Sequence, residues 1–152
     1  MKLLFVCTGN TCRSPMAAAL MNKIAVDNDM DIVAESAGIF AKADEKASSN
    51  AIKAMNDYGI DISSHKATPL TEKLINDADI VLTMTEGHKS MILGFAPDKI
   101  HTICEYAGYD GDINDPFGGN LNQYKNVADD IYDCLTEIAE KLYDIMENNN
   151  GN

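Results

Sequence analysis

With 152 residues and 45% hydrophobic content, the chain has the size and composition of one globular domain that buries a core. Its formal charge of −12 creates a field that repels nucleic acid and anionic lipid surfaces, which excludes both as general partners. Four cysteines (Cys7, Cys12, Cys104, Cys134) are too few for a disulfide scaffold and fit no zinc spacing, so all four read as thiols.

The first apolar run, KLLFVC at 2–7, has the pattern of a short buried strand. It is too short for a signal-peptide core or a membrane span, so the expected compartment is the cytoplasm. Helical periodicity follows at 14–26, then a second strand at 31–35. Helices are expected at 48–58, 70–77 and 86–95, with strands at 80–84 and 99–103. The last helix has the cleanest pattern. Val127, Ile131, Leu135, Ile138, Leu142 and Ile145 recur every three or four residues and form one stripe toward the core. This alternation predicts a single α/β domain over 1–147, a four-stranded parallel twisted sheet with helices on both faces. Residues 148–152 (NNNGN) read as a frayed polar tail, and Cys104 and Cys134 as packing residues.

In open α/β sheets, ligands bind beyond the carboxyl ends of the strands. Two segments reach that edge: the turn at 7–14 after the first strand, and the Gly-, Asp- and Asn-rich stretch at 106–122. The turn reads CTGNTCRS, between a strand and a helix, where backbone N–H groups converge on an anion. Gly9 and Asn10 tolerate left-handed backbone, and Ser14-Pro15 predicts a helix start capped by Ser14. The helix dipole, the inward amides and Arg13, the chain's one arginine, all favour a thiolate at Cys7. The same groups fit phosphate oxygens, with Arg13 gripping two of them in a bidentate fork. A thiolate beneath a phosphoryl group is a nucleophile placed for in-line attack on phosphorus.

The leaving group then needs a proton. In Asp115-Pro116-Phe117, proline fixes the backbone, and an adjacent Phe117 together with Asp110 and Asp112 would favour a protonated Asp115.

Taken together, VCTGNTCRSP, Ser36-Ala37-Gly38 and DPFGG at 115–119 resemble the low-molecular-weight protein tyrosine phosphatases over nearly the whole chain. The resemblance implies that family's fold and a phosphocysteine mechanism. By it, Cys7 is the nucleophile, Arg13 binds phosphate, and Asp115 is first general acid and then the base that activates water. It also implies a phosphate-binding loop of Thr8, Gly9, Asn10, Thr11, Cys12 and Arg13, flanked by Phe40 and Phe117. Ser14 steadies the thiolate, and Asn10, Ser36 and His65 form a network that holds the loop. His88 and His101 are left as surface or packing residues. Peroxide would convert Cys7 to a sulfenic acid that Cys12 closes into a reversible disulfide; the alternative is a packed thiol at Cys12.

Within the family, tyrosine-directed members usually carry a larger aliphatic residue where this chain has Thr11, and two aromatics after Asp-Pro where it has Phe117-Gly118. Thr11 with DPFGG resembles the protein-arginine phosphatase branch, and a polar phosphoguanidinium gains from a hydroxyl and a carboxylate. The expected substrate is phosphoarginine on proteins, with phosphotyrosine as the alternative. An arsenate reductase on the same fold needs two further cysteines near the third strand, and 78–95 has none. A phosphate-binding module would need neither thiolate nor acid. No metal or organic cofactor is implied, since the amides and Arg13 supply the positive charge. The expected anion ligands are phosphate and vanadate, and the expected state is a monomer.

Overall fold

A computed structural model describes residues 1–151; the last residue of the expected tail lies outside them. In chain order the elements are β1 (Lys2–Cys7), α1 (Arg13–Asp27), β2 (Val33–Gly38), α2 (Ser49–Asn56) and α3 (Glu72–Asp77). There follow β3 (Ile80–Thr83), α4 (Glu86–Ile92) with a 3₁₀ turn at Leu93–Phe95, β4 (Ile100–Thr102), α5 (Ile103–Ala107) and α6 (Leu121–Asn150). The four strands form one parallel sheet, as the alternation of strand and helix predicted, and their order is β2-β1-β3-β4. No helix among the described residues is long and apolar enough to cross a membrane.

β1 is central, which explains its unbroken apolar run. Leu3, Phe5 and Cys7 face a large core built with α1, α2, α5 and α6, whereas Leu4 and Val6 face a smaller one that includes Ile75, Val81, Ile92 and Ile100. Burying one such side chain contributes about 1.5–3 kcal/mol, so β1 ties both layers to one strand. The stripe on α6 is buried from Val127 to Leu142, but Ile145 is exposed, and the neighbouring Met146 makes the helix's last contact with the core instead. Its backbone stays helical to Asn150, three residues into the expected tail. Cys104 and Cys134 are buried in the large core, and burial pushes the Cys134 thiol up to about 12.

Two elements depart from expectation. β2 runs to Gly38 instead of ending at 35, because all six of its residues pair with β1, from Lys2↔Val33 to Cys7↔Gly38. α5 begins where the fourth strand was expected to end. Thr102 and Glu105 form a reciprocal capping box that turns the chain into helix, and Gly108 at φ +90° ends it. Turns at 8–12, 39–48 and 84–85 and the segment 108–120 gather at the carboxyl edge of the sheet.

Candidate active site

The turn after β1 is turned inside out relative to an ordinary loop. Its carbonyls point outward and are tied: Cys7 O accepts from Ile39 N–H (3.0 Å), Thr8 O from Phe40 N–H (2.9 Å) and Thr11 O from Ser48 N–H (2.9 Å). Asn10 O accepts from Nε2–H of His65 at 2.8 Å. The backbone N–H groups of Thr8 through Cys12 take no protein acceptor among the described residues. Peptide donors so arranged form an anion nest in front of the α1 N-terminus.

Asn10 is the one residue of this turn in the left-handed region, at φ +57°; Gly9 is not. The fully buried Asn10 amide explains why that strain is held. Its Oδ1 accepts from Thr68 N–H (2.9 Å) and its Nδ2 donates to Ser14 Oγ (2.7 Å). Ser14 therefore does not cap α1. The cap position is Cys12, which makes no side-chain cap bond, and the Ser14 hydroxyl lies 2.8 Å from Cys7 Sγ. Having accepted from Asn10, that hydroxyl can turn its proton to the sulfur, in preference to the more distant Ala37 O at 3.5 Å. Gly38 closes the loop from behind: a Cβ there would lie 2.6 Å from Thr8 O and 2.9 Å from Asn10 N.

Arg13, in the first turn of α1, is buried. Its Nη1 donates to Ile113 O (2.9 Å) and its Nη2 lies 3.7 Å from Asp115 Oδ2. Asp115 Oδ1 accepts from Phe117 N–H (3.0 Å), an Asx turn that Pro116 favours. The apolar enclosure expected around Asp115 is not built: its side chain is 55% exposed and Phe117 is 79% exposed. Asp112 Oδ1 accepts from Glu86 N–H at the start of α4 (2.8 Å).

Cys7, Thr8, Gly9, Asn10, Thr11, Cys12, Arg13, Asp115 and Phe117 line one cavity of about 280 Å³. His65 joins the loop from outside. Two residues implied by resemblance do not come together with it. Phe40 touches the loop through its backbone, but it is not among the residues lining the cavity, and its side chain is 69% exposed. Ser36, registered opposite Phe5, lies in a groove with Asn22 and His65 and makes no hydrogen bond to the loop; Thr68 N–H holds Asn10 instead.

Two site residues were missed. His88 is not a surface residue: it is 7% exposed, and its Nε2 lies 2.8 Å from Thr8 Oγ1. Burial and then the charge of Arg13 lower its pKa, against Asp112 and Asp115, which favours the neutral ring. Its Nδ1 is buried without a partner. The signal was its place in the first turn of α4, which follows the carboxyl end of β3. The other is Glu45, which lines the cavity from the turn after β2. Cys12 Sγ lies 3.3 Å from Tyr124 Oη and 3.6 Å from Ser48 Oγ.

The sequence profile of low molecular weight phosphotyrosine protein phosphatases matches residues 2–148. The protein-arginine-phosphatase of Bacillus subtilis (strain 168) is 43% identical over 146 residues, which cover 93% of this chain and 97% of that one. The low molecular weight protein-tyrosine-phosphatase PtpB of Staphylococcus epidermidis is 34% identical over 143 residues, 93% of this chain and 99% of its own. Among solved structures, a C7S mutant of YwlE arginine phosphatase with a phosphorylated active-site serine superposes with a TM-score of 0.91. It is 42% identical, covering 94% of this chain and 96% of that one.

Proposed function

The chain belongs to the low-molecular-weight phosphotyrosine protein phosphatase family and is a phosphatase, and on that premise we propose that it hydrolyses phosphoarginine on proteins through a phosphocysteine at Cys7. One observation carries this reading: Cys7 Sγ, hydrogen-bonded to Ser14, shares a cavity with unpaired loop amides, Arg13 and Asp115.

The phosphoryl oxygens lie on the amides of Thr8 through Cys12, and the free edge of Arg13 takes two of them. Cys7 sulfur attacks phosphorus in line; the S–P bond forms as the P–N bond breaks, and Asp115 gives its proton to the leaving guanidine nitrogen. In the second half Asp115, now a carboxylate, takes a proton from water. That water attacks phosphorus, the S–P bond breaks, phosphate leaves and the Cys7 thiolate returns. The side chains of Asn10, His65 and His88 act on the loop and not on the substrate. His88 pins the start of the loop at Thr8 Oγ1 and His65 its middle at Asn10 O.

Thr11 on the cavity wall supports arginine as the phosphorylated residue, and so do relatives at 41–43% identity named protein-arginine-phosphatases. Exposed Phe117 at the same cavity favours the second reading, phosphotyrosine, whose ring would stack on it. We propose further that the protein is a cytoplasmic monomer and that vanadate, with phosphate's shape and charge, inhibits it by binding in the phosphate cavity. Cys7 oxidised by peroxide to a sulfenic acid condenses with the Cys12 thiol and loses water, once Cys12 leaves Tyr124 and Ser48. Mass spectrometry after mild peroxide should then find a linked 7–12 peptide; sulfinic Cys7 alone would contradict this.

The test of substrate is kcat/KM on matched phosphoarginine and phosphotyrosine peptides, for the parent and Thr11→Ile. The reading expects the parent to favour phosphoarginine and Thr11→Ile to shift the ratio toward phosphotyrosine. A parent that favours phosphotyrosine, with a ratio unmoved by Thr11→Ile, overturns it.

A further inference from the structure

One wall of the cavity is explained neither by phosphate binding nor by support of the loop. Glu45 lines it, from the turn between β2 and α2. The backbone of that turn is fixed: Asp44 N–H donates to Ala67 O (2.9 Å), Ala67 N–H donates to Glu45 O (2.8 Å), and Lys46 bridges antiparallel to Lys66. Asp44 takes φ +67°, the reversal that sets the direction of the next residue. Four charged side chains, Lys42, Asp44, Glu45 and Lys46, crowd this turn, and Glu45 alone of them lines the cavity. Its carboxylate has no hydrogen bond or ion pair among the described residues.

A carboxylate beside a site for a phosphate dianion opposes binding unless the group carrying the phosphate brings compensating charge. A tyrosine ring brings none. A guanidinium brings delocalised positive charge and N–H donors in a planar fork that matches a carboxylate. Asp115 is committed to proton transfer, which leaves Glu45 as the carboxylate of this cavity free to recognise the carrier.

We propose that Glu45 is a specificity-determining residue, accepting N–H groups of a substrate guanidinium at the rim and disfavouring phosphate carried on a neutral or acidic group. This deepens the phosphoarginine reading and rests on it.

The experiment compares kcat/KM on one peptide sequence carrying phosphoarginine or phosphotyrosine, for the parent, Glu45→Gln and Glu45→Lys. Glu45 is exposed, so both variants should fold. Glu45→Gln is expected to lower the phosphoarginine value about 3- to 10-fold, a partly screened charge-assisted bond, and to raise the phosphotyrosine value about twofold as the repulsion is relieved. Glu45→Lys should widen the divergence by raising the phosphotyrosine value, and added salt should shrink the parent's preference. Variants that change both substrates by the same factor, with the parent active on phosphoarginine, would overturn this inference alone. A parent inactive on phosphoarginine would overturn the substrate reading and this inference with it.

Discussion

The two halves of the cavity are built on opposite terms. In the loop at 7–13, the carbonyls of Cys7, Thr8, Asn10 and Thr11 are all bound from outside, and Cys7, Asn10 and Arg13 are nearly or fully inaccessible. The segment at 108–120 is exposed along most of its length and held at a few points: Ile113 N–H to Met84 O (3.0 Å), Arg13 to Ile113 O, and Asp112 to Glu86 N–H. The first half carries fixed charge, and its dipoles need no reorganisation when an anion arrives. The second carries a proton that must be exchanged with leaving group and water, so its acid stays open to both. Rigidity is therefore spent on phosphate, and accessibility on the proton.

Substitutions should separate the halves by size of effect. Cys7→Ser replaces a thiolate by a hydroxyl that is a poorer nucleophile and a far poorer leaving group in the second step, and should lower turnover by about 10⁴-fold or more in steady-state assays, with the fold unchanged by circular dichroism. Asp115→Asn should cost about 10²–10⁴-fold, near the upper end for phosphoarginine because guanidine is a very basic leaving group. An aryl phosphate with a good leaving group should lose much less, and equal losses on both substrates would remove Asp115 as the acid.

Paired glycine variants sharpen the contrast further. Gly38→Ala drives a methyl into Thr8 O and Asn10 N, and displacing the amides should cost about 10²-fold in kcat/KM. Gly118 has φ +77° and open space around its Cα, so Gly118→Ala should cost about 1 kcal/mol of stability and only a few-fold in activity. If Gly118→Ala were the more damaging in the assay, the assignment of rigidity to the first half would fail.

The smallest effect is one of pH. His88 has a folded-state pKa below its ordinary value, so beneath about pH 6.5 the unfolded chain binds the proton more readily. Stability should therefore be lost as pH falls from there through the lowered folded value. His88→Asn should flatten that part of the stability curve in urea titrations, and an unchanged slope would assign it to other groups.

Much of this was legible in the chain itself. β1 could be read because both its faces are buried, leaving no polar alternation to confuse it, and residues 7–14 because strand, glycine, arginine and Ser-Pro are contiguous. Asp115 was found through Asp-Pro, though its surroundings were misjudged, since an aromatic two residues along need not pack on a carboxylate. The cap at Ser14 misled because a hydroxyl in the first helical turn has rivals for its lone pairs, and Asn10 took them. His88 and Glu45 reach the site across long stretches of chain; Thr8 and His88 are 80 residues apart, and the place of His88 just after the carboxyl end of β3 points to the sheet edge but not to the partner it meets there. Thr68, which holds Asn10 through its backbone N–H, leaves no residue-type signature.

The most direct measurement is single-turnover quenching with a ³²P-labelled phosphoarginine protein, followed by peptide mapping. Transient label on the peptide containing Cys7, alkali-stable and released by water at a rate no slower than turnover, is the predicted result. Phosphate formed by the parent with label never passing through that sulfur would contradict the account.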